Sequence, residues 1–168
     1  MKLIVLALGA AVALIGVAVT GNVTAHADTG CESNASGKVI WISLTTQSLV
    51  ACDGPTAVYT TPVTSGRPGM ATPKGTFKVL SKRANWTMTS GCRPGSACYY
   101  TPTHVNYGLL FKDGGYYLHD WPPQEGSAYG PGTPAGRFGS HGCVHAPVSV
   151  LAHVYDWAPV GTQVIVTG

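Results

Sequence analysis

The sequence predicts a mostly β, single-domain fold, a sandwich or partly closed barrel of mixed strands with long loops and one short helix. Three observations lead there. Charged residues make up only 10% of the 168-residue chain, whereas Gly (22) and Pro (12) are abundant, a balance that favours turns and sheets over a helical bundle. Short runs of β-branched and aromatic residues recur between turn formers from Lys38 to Val166. A single stretch, Val148–Trp157, spaces its apolar residues as a helix does, with Val148, Leu151, Val154 and Tyr155 on one face.

The elements follow in order. Residues 1–27 read as a secretory signal, with Lys2 as the positive start, Leu3–Val19 almost unbroken apolar, and Ala25-His26-Ala27 as a small-x-small cleavage site before Asp28. Such a signal makes the rest of the chain extracytoplasmic and secreted, with no stable membrane insertion once it is cut. Leu3–Val19 also approaches the length of a short span, so an uncleaved membrane anchor is the alternative. Residues 28–37 form a polar N-terminal segment, mobile apart from Cys31, and residues 38–168 form one domain. Lys38–Leu44 reads as a strand, Thr45–Ser48 as its turn and Leu49–Cys52 as the return strand. Thr56–Thr64 is a further strand, Ser65–Gly69 a loop, and a Thr-Pro-x-Gly turn leads into a strand over Thr76–Leu80.

Ser81–Tyr100 shows no clear period and reads as an insertion. Tyr107–Phe111 and Tyr116–His119 flank Lys112-Asp113-Gly114-Gly115, a strong hairpin signal. Trp121–Gly139 is a long loop rich in Gly and Pro, of a length that in a compact domain usually signals function or disorder. The helix over Val148–Trp157 and a closing strand over Val160–Val166 complete the chain. No internal repeat, low-complexity tract or second domain interrupts it.

The formal charge of +3 is low and no basic run interleaves with aromatics, so nucleic acid is not an expected partner. A monomer is expected. All five cysteines follow the signal, and in an oxidising compartment an odd number leaves one unpaired. Cys92 and Cys98 flank a turn-rich segment, and Cys31 and Cys52 lie at the two ends of a predicted hairpin. Of the three pairings open to four cysteines, Cys31–Cys52 and Cys92–Cys98 are therefore expected, which leaves Cys143 as the free thiol.

Cys143 lies in the run Ser140-His141-Gly142-Cys143-Val144-His145, and His119 lies one hairpin upstream in Tyr116-Tyr117-Leu118-His119-Asp120. A sulfur attacks well only as the thiolate, so a nucleophilic cysteine needs an imidazole to take its proton. An acyl intermediate also needs amide N–H groups aimed at the developing oxyanion, and a glycine lets the backbone approach. Cys143 is thus the expected nucleophile and His119 the expected base, placed at a strand end from which a ring can be aimed.

This pattern resembles the catalytic signature of the L,D-transpeptidases, the YkuD-like cysteine enzymes of bacterial peptidoglycan. In that family a histidine precedes a Ser/Thr-His-Gly-Cys run by some fifteen to twenty-five residues, and His119 precedes Ser140 by 21. Thr64-Ser65-Gly66 and Thr72-Pro73-Lys74-Gly75-Thr76-Phe77 also match the family's upstream landmarks, so the resemblance covers roughly Lys38 to Gly168. It implies a YkuD-like fold and no cofactor or metal. It implies transfer of an acyl group from a peptidoglycan stem peptide through a thioester on Cys143. The acceptor is a neighbouring stem in cross-linking, or water in L,D-carboxypeptidase trimming.

The resemblance also implies that the carbonyl of Asp120 orients the base histidine. The Asp120 side chain is the competing third member, although adjacent strand residues point to opposite faces. His141 would shape the pocket from the same face as Cys143. Ser140 would hydrogen-bond locally, and the N–H groups of Gly142 and Cys143 would hold the oxyanion. His145 departs from the Arg or Asn more usual there, which puts carboxylate recognition at that position in question. Tyr107, Tyr117 and Trp121 are candidates to line a substrate groove. Two other classes compete. A zinc hydrolase could use His141, Cys143 and His145 with His119, and a non-catalytic wall-binding module would need none of this chemistry.

Overall fold

The computed structural model describes residues 30–168; the expected signal and the first residues of the polar segment lie outside these. Among the described residues, two mixed sheets and one α-helix build the domain, with no closed barrel. The first sheet contains β1 (Lys38–Ser43), β2 (Ser48–Asp53), β3 (Thr56–Pro62), β4 (Gly75–Lys78) and β9 (Gln163–Thr167), in the order β3-β2-β1-β9-β4. The second contains β5 (Ser81–Met88), β6 (Thr103–Lys112), β7 (Tyr116–His119) and the two-residue β8 (Val144–His145), in that order. Helix α1 spans Val148–Trp157, as its apolar spacing predicts.

Alternation fixes which faces meet. Ile40, Ile42, Leu49, Ala51, Val164 and Val166 point inward from the first sheet, and Leu109, Phe111, Leu118 and Val144 from the second. Leu151 and Val154 of α1 close the same core. The chain changes sheets at Val79-Leu80: the Val79 amide donates to Thr162 O beside β9, and the Leu80 amide donates to Leu110 O on β6. One dipeptide therefore bonds to both sheets, with Val79 buried and Leu80 exposed at the corner.

Ser81–Met88 is a correction. It is not an insertion but strand β5, paired antiparallel with β6. The pattern hides it because its residues are exposed or half-buried and the pairing skips Asn85, whose φ is 56°. Its one aromatic residue, Trp86, packs on the outer face over Gly108, where a Cβ would meet its ring at 2.2 Å. The loop that does extend from this sheet is Thr89–Pro102, closed by Cys92–Cys98.

The N-terminal segment is held at more than Cys31. It turns at Cys31–Ser33, and the Asn34 amide side chain donates to Gly37 O and Gly54 O, each at 2.9 Å. Cys31–Cys52 is formed, both residues are fully buried, and they pack with Val39 on the outer face of the first sheet. The pairing expected from the sequence is the one observed. Among the described residues no helix is long and apolar enough to cross a membrane.

The two disulfides close loops of different length, with separations of 21 and 6 residues. Loop-closure entropy assigns them about 3 and about 2 kcal/mol. Replacing Cys31 and Cys52 together by Ala should cost the larger amount, and replacing Cys92 and Cys98 the smaller, in urea unfolding of the purified domain. Equal losses would mean that strain or packing, not loop length, sets the contribution.

Candidate active site

Backbone pairing places the Cys143 segment. β8 lies parallel to β7, with Leu118 opposite Val144 and His119 opposite His145. Leu118 and Val144 enter the core. The residues that flank them, His119 on one strand and Cys143 and His145 on the other, therefore share the opposite face. The far side of the same segment pairs with the loop after β3. Thr64 and His145 exchange both amide–carbonyl bonds at 2.8 and 2.9 Å, the Ser140 amide donates to Ser65 O, and the Arg67 amide donates to Ser140 O.

Within that strap the Ser140 hydroxyl donates to Cys143 O at 2.6 Å and accepts from the Gly142 amide at 3.0 Å. Thr72 Oγ1 also lies 3.3 Å from Cys143 O and accepts from the Gly66 amide. Gly142 has φ of 113°, and a Cβ there would stand 2.8 Å from the Tyr116 ring. Both the backbone conformation and the neighbour require glycine. The turn also changes the expected oxyanion set. The Gly142 N–H is committed to Ser140, so it is not the free donor the sequence suggests. Nor is His141-Gly142 extended, as a shared face with Cys143 requires; it is a bend.

Cys143 is the free cysteine among the described residues and is half-buried. Its Sγ is 3.5 Å from the Tyr117 amide and 3.4 Å from Gly115 O. Burial pushes the thiol up to about 11, against the pull of the Tyr117 N–H. His119 is 4% exposed, and its Nδ1 lies 2.7 Å from Asp120 O. A carbonyl only accepts, so Nδ1 carries the proton and Nε2 is left as the basic nitrogen. Burial lowers the His119 pKa, with the Asp120 carbonyl and charge opposing.

The Asp120 carboxylate is turned the other way. It accepts from the Asn106 amide, Asn106 Nδ2 and the Tyr107 amide at 2.8–3.1 Å. Geometry thus gives the carbonyl, not the side chain, to the histidine.

A cleft of about 300 Å³ collects His119, Ser140, His141, Cys143, His145 and Trp121. His145 is 5% exposed. Its ring stands 4.8 Å from that of His119 and 5.0 Å from that of Trp121, and its Nδ1 is 3.2 Å from Gln124 Oε1. Burial and the neighbouring His119 hold its pKa well below the usual histidine value. His141 sits 5.5 Å from the Tyr100 ring. Burial and the Arg67 charge lower its pKa, opposed by the carbonyls of Ala97 and Tyr99.

Two expected lining residues are elsewhere. Tyr107 packs on Tyr155 of α1, and Tyr117 packs on Trp86; neither lines the cleft. The zinc reading loses its geometry as well: among the described residues no three His, Cys, Asp or Glu side chains converge to hold a metal. His119 and His145 each have one ring nitrogen against a protein oxygen instead.

The model of the L,D-transpeptidase catalytic domain (YkuD) matches residues 37–166. The chain belongs to this family. It is 28% identical over 138 residues to YciB of Bacillus subtilis (strain 168), named as a candidate L,D-transpeptidase, covering 77% of this chain and 66% of that one. Among solved structures, the avibactam carbamoyl enzyme of Ldtfm superposes with a TM-score of 0.69 at 29% identity, covering 78% of this chain and 49% of that one. A cysteine-to-serine variant of the Enterococcus faecium L,D-transpeptidase gives 0.67 at 29%, covering 77% and 49%. The chain thus spans about half to two thirds of the length of these relatives.

Sequence reading of this L,D-transpeptidase domain missed several residues. Gln124 is fully buried and holds both Thr64 Oγ1, at 2.7 Å, and His145. It sits in the long loop after β7, where nothing local marks it. Arg67 and Arg137 also line the cleft. Arg67 directly follows the Thr-Ser-Gly landmark, and that adjacency was the available signal.

Three histidines kept below their ordinary pKa make acid destabilising. Each is neutral in both states above about pH 6.5, so their full contribution is present there. As pH falls below that value the unfolded chain takes up protons that the folded chain resists, and stability drops. His145→Gln removes a group that titrates while keeping an amide for Gln124. Melting temperatures between pH 7.5 and 5 should fall less steeply for this variant than for the wild type. Parallel curves would show that His145 is not held neutral.

Proposed function

We propose that this chain is a secreted cysteine acyltransferase that cross-links or trims peptidoglycan stem peptides through a thioester on Cys143. The observation that carries the proposal is the pairing of β7 with β8, which sets His119 and Cys143 on one face of adjacent strands inside one cleft. Family membership supports the substrate class, and the carbamoyl enzyme formed by Ldtfm supports a covalent acyl state in a related site. The leader-like residues 1–27 support export to the cell wall.

Both reacting groups are held neutral at rest: burial raises the thiol and lowers the imidazole. The proton therefore moves as the sulfur attacks, not before. Sγ bonds to the carbonyl carbon before the terminal D-residue while His119 Nε2 takes the thiol proton. Negative charge develops on the carbonyl oxygen. With the Gly142 amide committed to Ser140, the Cys143 amide and the Tyr117 amide, already 3.5 Å from Sγ, are its donors.

Collapse breaks the peptide bond, and the departing amine of the D-residue takes the proton from His119. In the second half an acceptor amine, or water, attacks the thioester carbon and gives its proton to the same nitrogen. The thiolate leaves and is reprotonated. Asp120 contributes its carbonyl, which keeps Nε2 bare throughout.

Release of the terminal D-residue from a tetrapeptide stem, with a second stem present to capture dimer, tests the roles. Cys143→Ala should abolish turnover, and His119→Ala should lower it by about 10²–10⁴-fold, both without unfolding the domain. Asp120→Asn should behave differently. Its amide would face the N–H donors of Asn106 and Tyr107, so the domain melts earlier. Turnover per folded molecule should stay within about tenfold of wild type, because the carbonyl remains. Inactivity of folded Asp120→Asn equal to that of His119→Ala would return the side chain to the catalytic role.

A further inference from the structure

Among the described residues, the cleft around Cys143 carries two permanent cations and no anion. Arg67 and Arg137 both line it, and among those residues no Asp or Glu does. The histidines beside them do not add charge at neutral pH, since burial holds each below its ordinary value. A guanidinium stays charged in any such setting.

Arg67 is fixed to the nucleophile's segment. Its amide donates to Ser140 O at 3.0 Å, and Gly66 bridges to Ser140. Gly66 itself admits no Cβ, which would stand 2.1 Å from Met70 O. The side chain is half-buried, and its Nη2 donates to Ala97 O at 2.7 Å, on the loop closed by Cys92–Cys98. The same Nη2 also donates to Met70 Sδ at 3.5 Å, so two of the five N–H donors have partners and Nε and Nη1 keep the other three. Arg137 is more exposed and lies over the Phe138 ring at 4.5 Å, a stacking that leaves the edge of its guanidinium open.

His145, two residues after Cys143, is buried against Gln124 and His119. It offers no fixed charge to a ligand. Yet the reaction proposed above, on which this inference rests, brings a carboxylate to the same place. The carboxyl carbon of a terminal D-residue is three bonds from the scissile carbonyl carbon, so it enters the cleft whenever that carbonyl reaches Sγ.

We propose that Arg67, with Arg137 at the exposed side, forms the subsite that binds the terminal carboxylate of the D-residue released in the first half-reaction. Arg67 supplies a charge-assisted N–H donor near Cys143, and Arg137 draws the carboxylate in. Recognition of the free acid then rests on the two loops that flank the Cys143 segment, not on His145.

The test compares two probes on each enzyme: a tetrapeptide stem ending in a free D-Ala carboxylate and the same peptide ending in a carboxamide. Taking their kcat/KM ratio on one preparation cancels any difference in folded fraction. Wild type should favour the free acid by about tenfold or more. Arg67→Gln should lower that ratio most, Arg137→Gln less, and the double variant should bring it close to one.

A wild-type ratio near one, or a double variant that keeps the wild-type ratio, overturns the subsite while leaving the transpeptidase reading intact. Failure of wild type to release the D-residue from either peptide, under conditions where it is folded, removes that reading and the subsite with it.

Discussion

The active-site geometry rests on a two-residue strand. Val144 and His145 pair with β7 on one side and with Thr64 on the other. Each side alone is a marginal contact, and together they satisfy the backbone of a segment that also has to bend sharply at Gly142. Cys143 precedes this strand directly, so its position is inherited from it. So is the position of the Thr64–Arg67 loop, whose Thr64 and Arg67 amides bond to His145 O and Ser140 O while those of Ser65 and Gly66 bond to Gln47 and Thr72. The long Gly- and Pro-rich loop after β7 is recruited to the same purpose through Gln124, Thr133 and Gly130, which bond to Thr64, His145 and Val63.

Electrostatics in the cleft follow from the dryness that this packing creates. A thiol and three imidazoles sit where their charged forms are disfavoured, and the permanent charges are two guanidinia. A resting thiolate–imidazolium pair would need two costly ions side by side. A neutral pair needs only a correctly placed lone pair on His119. The Asp120 carbonyl provides it at little cost, because a carbonyl fixes the tautomer without stabilising the imidazolium as a full carboxylate would. The carboxylate of Asp120 meanwhile holds the amides of Asn106 and Tyr107 on β6. One residue thus orients His119 through its main chain and braces the neighbouring strand through its side chain.

Much of this was legible in the sequence. The β1–β2 hairpin, the β6–β7 hairpin and α1 follow from alternation, turn residues and a helical stripe, and both disulfides follow from cysteine spacing. Cys143 and His119 stand out in the sequence by residue type and spacing and the Asp120 carbonyl by the resemblance, and the structure puts that carbonyl against His119 Nδ1 and both side chains in one cleft. What was hidden was hidden for physical reasons. β5 is a strand with little buried surface, so it carries no apolar alternation. Tyr107 and Tyr117 resemble groove residues by type, but their strand positions send the rings to Tyr155 and Trp86. The loss of the Gly142 amide to Ser140 depends on a turn that no local pattern announces.

The most direct test of a neutral, carbonyl-oriented base is nitrogen-15 NMR of the His119 imidazole in the resting protein, titrated from pH 8 to 4. The expected spectrum is that of a neutral ring with the proton on Nδ1 at pH 7, taking up its second proton only below the ordinary histidine range. An imidazolium at pH 7 whose signal changes only when Cys143 is replaced by Ala would contradict it, because that is the signature of a resting ion pair.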